Sequence, residues 1–128
     1  MSDHSTVRGV GTDLVDVVRF RGVLERTPGV VERLFTAAEL EVVAPRRDRV
    51  PGLAARFAAK EAVMKAMQCG MADVAFGEIE VRGGGETAPT VSLTGRAAER
   101  AAARGITTWH LSLTHTDDLA HAVVVAAG

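Results

Sequence analysis

One stretch limits the possible folds more than any other. Pro51 suits the first turn of a helix running to about Gln68, with Gly70 as its stop. At roughly 100° per residue, Leu53, Phe57, Met64 and Met67 share one face. Ala55, Ala59, Ala62 and Ala66 fall on the opposite face, a small-residue stripe suited to close packing. A helix apolar on two sides is largely buried, so other elements must cover both.

The rest of the pattern supplies that cover. Val7–Val15 is β-branched and alternates well enough for a strand. Val17–Glu25 reads as a helix stopped by Thr27-Pro28-Gly29, and Thr36-Ala-Ala-Glu39 is a capping box opening a helix that ends near Pro45. Phe76–Arg82 and Thr90–Thr94 read as strands joined through Gly83-Gly84-Gly85, followed by a helix over Arg96–Arg104. Thr108–Thr114 and Leu119–Ala126 form a last strand pair, turned at Asp117-Asp118. Helices lie early and strands mostly late, so the expected class is α+β, an antiparallel β-sheet packed against the long buried helix. The 128 residues suit a single domain, with residues 1–6 expected to be a flexible N-terminus.

Charge narrows the function. The net charge is −1, yet Arg46–Lys65 holds six basic residues against two acidic ones, which suggests an anionic ligand on one side. With no tyrosine, one tryptophan and four phenylalanines, the chain has little to stack on bases, which argues against nucleic acid. A lone cysteine, Cys69, forbids an internal disulfide and any cysteine-based metal cluster, and fits a cytoplasmic location. No apolar run approaches the roughly 18 residues of a spanning helix, so no membrane is expected.

Several charges sit awkwardly. Arg56, Lys60, Glu61 and Lys65 lie on the buried helix, Lys60 within its large-residue stripe and Glu61 at the edge. Buried charges need partners, and the plainest one is a Glu61–Lys65 pair at i, i+4. Asp13 lies in a β-branched strand, where aspartate is disfavoured, beside a Gly11 that permits close approach. A strand aspartate and a helix glutamate could converge on one Mg²⁺ ion that takes its other ligands from water and phosphate. Late in the chain, alternation puts Trp109, Leu111, Leu113 and His115 on one face. Neither a nucleophile elbow nor a glycine-rich phosphate loop is present.

Taken in order, these segments resemble the small holo-acyl-carrier-protein synthases, a class of 4′-phosphopantetheinyl transferase. The carriers of the resemblance are Val10-Gly-Thr-Asp-Leu-Val-Asp-Val-Val-Arg19, Phe35-Thr36 with Glu39, Leu53-Ala-Ala-Arg-Phe-Ala-Ala-Lys-Glu-Ala62 with Lys65-Ala66, and Ser112-Leu-Thr-His115. The resemblance implies the transferase fold and transfer of phosphopantetheine from coenzyme A to a serine of apo acyl carrier protein, releasing 3′,5′-ADP. It implies Asp13 and Glu61 as Mg²⁺ ligands and Lys65 as the group that stabilises or protonates the leaving nucleotide. It further implies Arg56, Lys60 and His115 around the nucleotide, Arg19 and Arg26 toward the acidic carrier, and a homotrimer with sites shared between neighbours. Asp16 stands where the family usually has glutamate, Met67-Gln68-Cys69-Gly70 replaces a common turn beside coenzyme A, and Thr114 replaces a frequent serine. Two rivals remain at this level: a non-catalytic module binding coenzyme A or a carrier, and a Mg²⁺-dependent phosphohydrolase or nucleotide-binding protein.

Overall fold

The computed structural model describes residues 5–128. In chain order the elements are β1 (Val7–Asp16), α1 (Val17–Arg26), α2 (Val30–Leu34), α3 (Ala37–Val43) and α4 (Val50–Ala66). A 3₁₀ turn at Phe76–Glu78 leads into β2 (Ile79–Gly84) and β3 (Thr87–Leu93), then α5 (Gly95–Ala103), β4 (Thr108–His115) and β5 (Leu119–Ala127). The strands make two antiparallel groups, a three-stranded sheet ordered β1-β5-β4 and the hairpin β2-β3.

Helix α4 is the axis of the molecule, as its two apolar faces require. Leu53, Ala54, Ala58, Ala59, Ala62 and Val63 are fully buried. Its alanine stripe lies so close to β1 that a Cβ on Gly11 would stand 1.8 Å from the Ala62 carbonyl oxygen, and one on Gly9 2.0 Å from that of Ala66. Only glycine fits such an approach, so the opening left by Gly11 is filled by helix backbone. The large-residue face is closed by Phe20 and Phe35 from the N-terminal helices and by Ile79 and Val81 of β2.

Local rules account for most element ends. Asp16 caps α1 by accepting from Arg19 N at 3.1 Å. Thr36 and Glu39 form the expected capping box of α3. Helix α4 ends at Ala66, two residues early, because Gln68 takes a left-handed conformation (φ 55). Phe76–Glu78, expected as strand, is instead a 3₁₀ turn in which Glu78 accepts from Ala75 N. Thr6 exchanges backbone hydrogen bonds with Gly128 at 3.1 and 3.0 Å, so the expected flexible terminus does not reach it; residues 1–4 lie outside the described residues.

Candidate active site

Alternation along β1 turns Gly9, Gly11, Asp13 and Val15 toward α4, and the close glycine contact brings Asp13 against the middle of that helix. Lys65 reaches across from α4. Its Nζ donates to Asp13 Oδ1 at 3.0 Å and to the Thr12 carbonyl at 2.9 Å. The plain i, i+4 pairing of Lys65 with Glu61 is therefore not what forms, because β1 offers the ammonium two acceptors at once.

Glu61, one turn before Lys65, is half-buried and lines a cavity of about 590 Å³ together with Asp13. Burial pushes its carboxyl above the usual glutamate range, the charge of Asp13 pushes it further, and Lys65 offsets part of this. Two carboxylates thus face one ammonium, leaving negative charge uncompensated. Among the described residues no third acidic, histidine or cysteine side chain joins them. Two hard oxygen donors, excess negative charge and an open cavity suit a dication that takes its remaining ligands from substrate and water.

Beyond the carboxylates the cavity wall is apolar, with three phenylalanines set among aliphatic side chains. Phe57 stacks on Phe76 at 5.5 Å between ring centroids and lies 5.1 Å from Phe20. Exposed Arg19 stands at the rim, and Arg26 is exposed at the far end of the same helix. Sequence reading did not single out Phe20 or Phe76, since one belongs to a core stripe and the other to an apparent strand.

Lys60 overturns its expected place beside a nucleotide. It is fully buried, and its ammonium reaches Glu39 Oε1 at 2.7 Å, the Phe76 carbonyl at 3.0 Å and the Ile79 carbonyl at 2.6 Å. An ammonium has three N–H bonds, so none remains for a phosphate. Glu39 is equally engaged, accepting from Thr36 N and Val81 N. The capping box was visible in the sequence; the second task of its glutamate was not.

Arg56 and His115 do meet, in a separate cavity of about 190 Å³ beside the β2-β3 turn, with Arg46, Gly84 and Gly85. Arg56 is buried; its Nη2 donates to the Gly83 carbonyl at 2.5 Å, while its Nε has no partner. Burial and the charge of Arg46 pull this guanidinium below its usual range. A buried, under-satisfied guanidinium with half-buried Arg46 beside it attracts an anion. Exposed His115 also borders a cavity of about 500 Å³ shared with Asp13 and Lys65.

Comparison with known proteins decides the family, since the model of the 4′-phosphopantetheinyl transferase superfamily matches residues 9–124. The chain belongs to this superfamily. Among curated members of the superfamily, it is 45% identical to the holo-[acyl-carrier-protein] synthase of Streptomyces avermitilis, over 96% of this chain and 99% of that one. A synthase structure from Plasmodium yoelii with ADP bound matches with TM-score 0.88 and 25% identity, covering 98% of both chains. A Helicobacter pylori synthase in complex with coenzyme A matches with TM-score 0.79 and 28% identity, over 91% of this chain and 98% of that one. The α+β fold read from the sequence is thus that of the transferase superfamily.

Proposed function

We propose that this protein transfers the 4′-phosphopantetheine arm of coenzyme A to a serine hydroxyl of an apo acyl carrier protein, releasing 3′,5′-ADP. One observation carries the reading beyond the family: Asp13 and Glu61 line one open cavity from facing elements, and Lys65 holds Asp13 from the same helix as Glu61. Asp13 and Glu61 would hold Mg²⁺, which, when bound, polarises the transferred phosphoryl group and steadies the leaving phosphate. The serine oxygen gives up its proton to water and forms the new P–O bond as the bond to 3′,5′-ADP breaks, and Lys65 stabilises the charge left on that nucleotide. Arg56 and His115, with Arg46, serve the nucleotide phosphates; Lys60 leaves that set. Arg19 and Arg26 offer positive charge to an acidic carrier helix beside the apolar wall.

The functional unit in this reading is a homotrimer. The sheet face turned away from α4 leaves Val10 60%, Leu14 64% and Leu119 47% exposed, an apolar surface suited to further copies of the chain. The number three rests on the family resemblance. Shared sites would bring the Arg56–His115 cavity of one copy to the Asp13–Glu61 pair of the next. No described helix is long and apolar enough to cross a membrane, and the single cysteine fits work in the cytoplasm.

Incubating the protein with apo acyl carrier protein, coenzyme A and Mg²⁺ tests the reading by mass spectrometry. A carrier heavier by one phosphopantetheine supports transfer. Phosphate release without carrier modification would instead favour a hydrolase, and binding with neither product a non-catalytic module.

A further inference from the structure

Lys65 is the side chain whose surroundings ask for more than one role. Two of its three N–H bonds are committed to β1, at Asp13 Oδ1 and the Thr12 carbonyl. Its side chain is 53% exposed, whereas that of Asp13 is 17% exposed. An ion pair with one partner so open to water is of the weak, exchangeable kind. Asp13 and Glu61 together carry one more charge than Lys65 can balance, and a dication would draw on the same Asp13 carboxylate. An ammonium and a dication on one carboxylate repel each other, and the exposed, flexible partner is the one that yields.

We propose that Lys65 and the dication compete for Asp13, so that metal loading releases the Lys65 ammonium from β1 and frees it for an incoming phosphate. The inference rests on the metal reading of Asp13 and Glu61 given above. It couples two events otherwise independent, filling the metal site and arming the lysine. The cost is metal affinity: the resident ammonium weakens the dication it waits for.

The chain is well suited to the test, because its two lysines are Lys60 and Lys65, and Lys60 is fully buried. Reductive methylation followed by peptide mapping therefore reports on Lys65, apart from the terminal amine. Saturating Mg²⁺, with no coenzyme A present, should speed labelling of Lys65. In parallel, Mn²⁺ binding followed by electron paramagnetic resonance should be lost in Asp13→Asn. In Lys65→Met it should tighten by roughly two- to fivefold, the factor set by an exposed ion pair of ordinary strength. Mn²⁺ binding that depends on Asp13, with Lys65 labelling unchanged or slowed by Mg²⁺, overturns the competition and leaves the proposed function standing. Mn²⁺ binding absent, or indifferent to Asp13→Asn, removes the metal reading and the competition with it.

Discussion

Replacing Gly11 with alanine should damage catalysis more than its single methyl suggests. The new Cβ would lie 1.8 Å from the Ala62 oxygen and 2.7 Å from the Ala62 carbonyl carbon, whereas real Cβ contacts essentially never fall under 3.0 Å. Both atoms are helix backbone, so no side chain can swing aside, and β1 must part from α4 by about an ångström. Overpacking of this kind costs about 1–3 kcal/mol or somewhat more, a fall in Tm of roughly 5–15 °C for a chain of this size. The displacement lands on the site, because Asp13 lies two residues along β1 and Glu61 immediately precedes Ala62. A misplacement of about 1 Å can cost on the order of 100-fold in rate. Gly9→Ala is the comparison: a Cβ there would meet the Ala66 oxygen at 2.0 Å, next to the exposed, adaptable Lys65 side chain but four residues from Asp13 and five from Glu61. Thermal unfolding by circular dichroism, with transfer rates measured by mass spectrometry well below both midpoints, separates the effects. Both variants should lose similar stability, and Gly11→Ala should lose far more rate. Equal rate losses, or a Gly11→Ala protein with wild-type rate and Tm, would refute the reasoning.

Glu61→Gln should abolish transfer yet raise Tm at neutral pH in metal-free buffer, because the ionised Glu61 carboxylate is held at a cost by burial and by Asp13. Its folded pKa lies above the unfolded one, so the difference in Tm should vanish as pH falls below the ordinary glutamate range; a constant difference would contradict the assignment. Arg19→Glu should raise the KM for an acidic carrier by about tenfold and flatten its salt dependence, with kcat little changed, as steady-state kinetics would read. Mixed oligomers of Asp13→Ala and His115→Ala subunits should recover activity above zero if sites are shared. Sedimentation showing a fully active monomer would defeat the sharing.

Legibility in the sequence followed how unusual each residue was in its setting. Asp13 stood out because a strand rarely keeps an aspartate, and the structure supplies the reason, two neighbours from α4. The covering of α4 was readable because its period left no exposed side. Lys60 misled because a lysine between Arg56 and Glu61 looks like part of one cluster. Its partner, Glu39, lies 21 positions earlier, in a segment that a local capping role already explained. Helix α2 went unread because five residues cannot display an amphipathic period. The Arg56–His115 cavity depends on the β2-β3 turn folding back over α4, a long-range event without a local signature.

The buried Lys60–Glu39 pair also bears on how the chain reaches its fold. Its acceptors and donors come from residues 36–39, 60 and 76–81, so the ammonium can shed water only when all three segments arrive together. A partly folded chain that sealed this core without residues 76–81 would leave the buried pair short of the Phe76 and Ile79 carbonyls and the Val81 N–H, at a cost of several kcal/mol. Such half-closed states are therefore disfavoured, and closure becomes all-or-none. During synthesis the wait is longer still. β1 finds its partner only when residues 119–127 emerge. Until then the alanine face of α4 lacks its three-stranded sheet, and the nascent chain must carry that face uncovered.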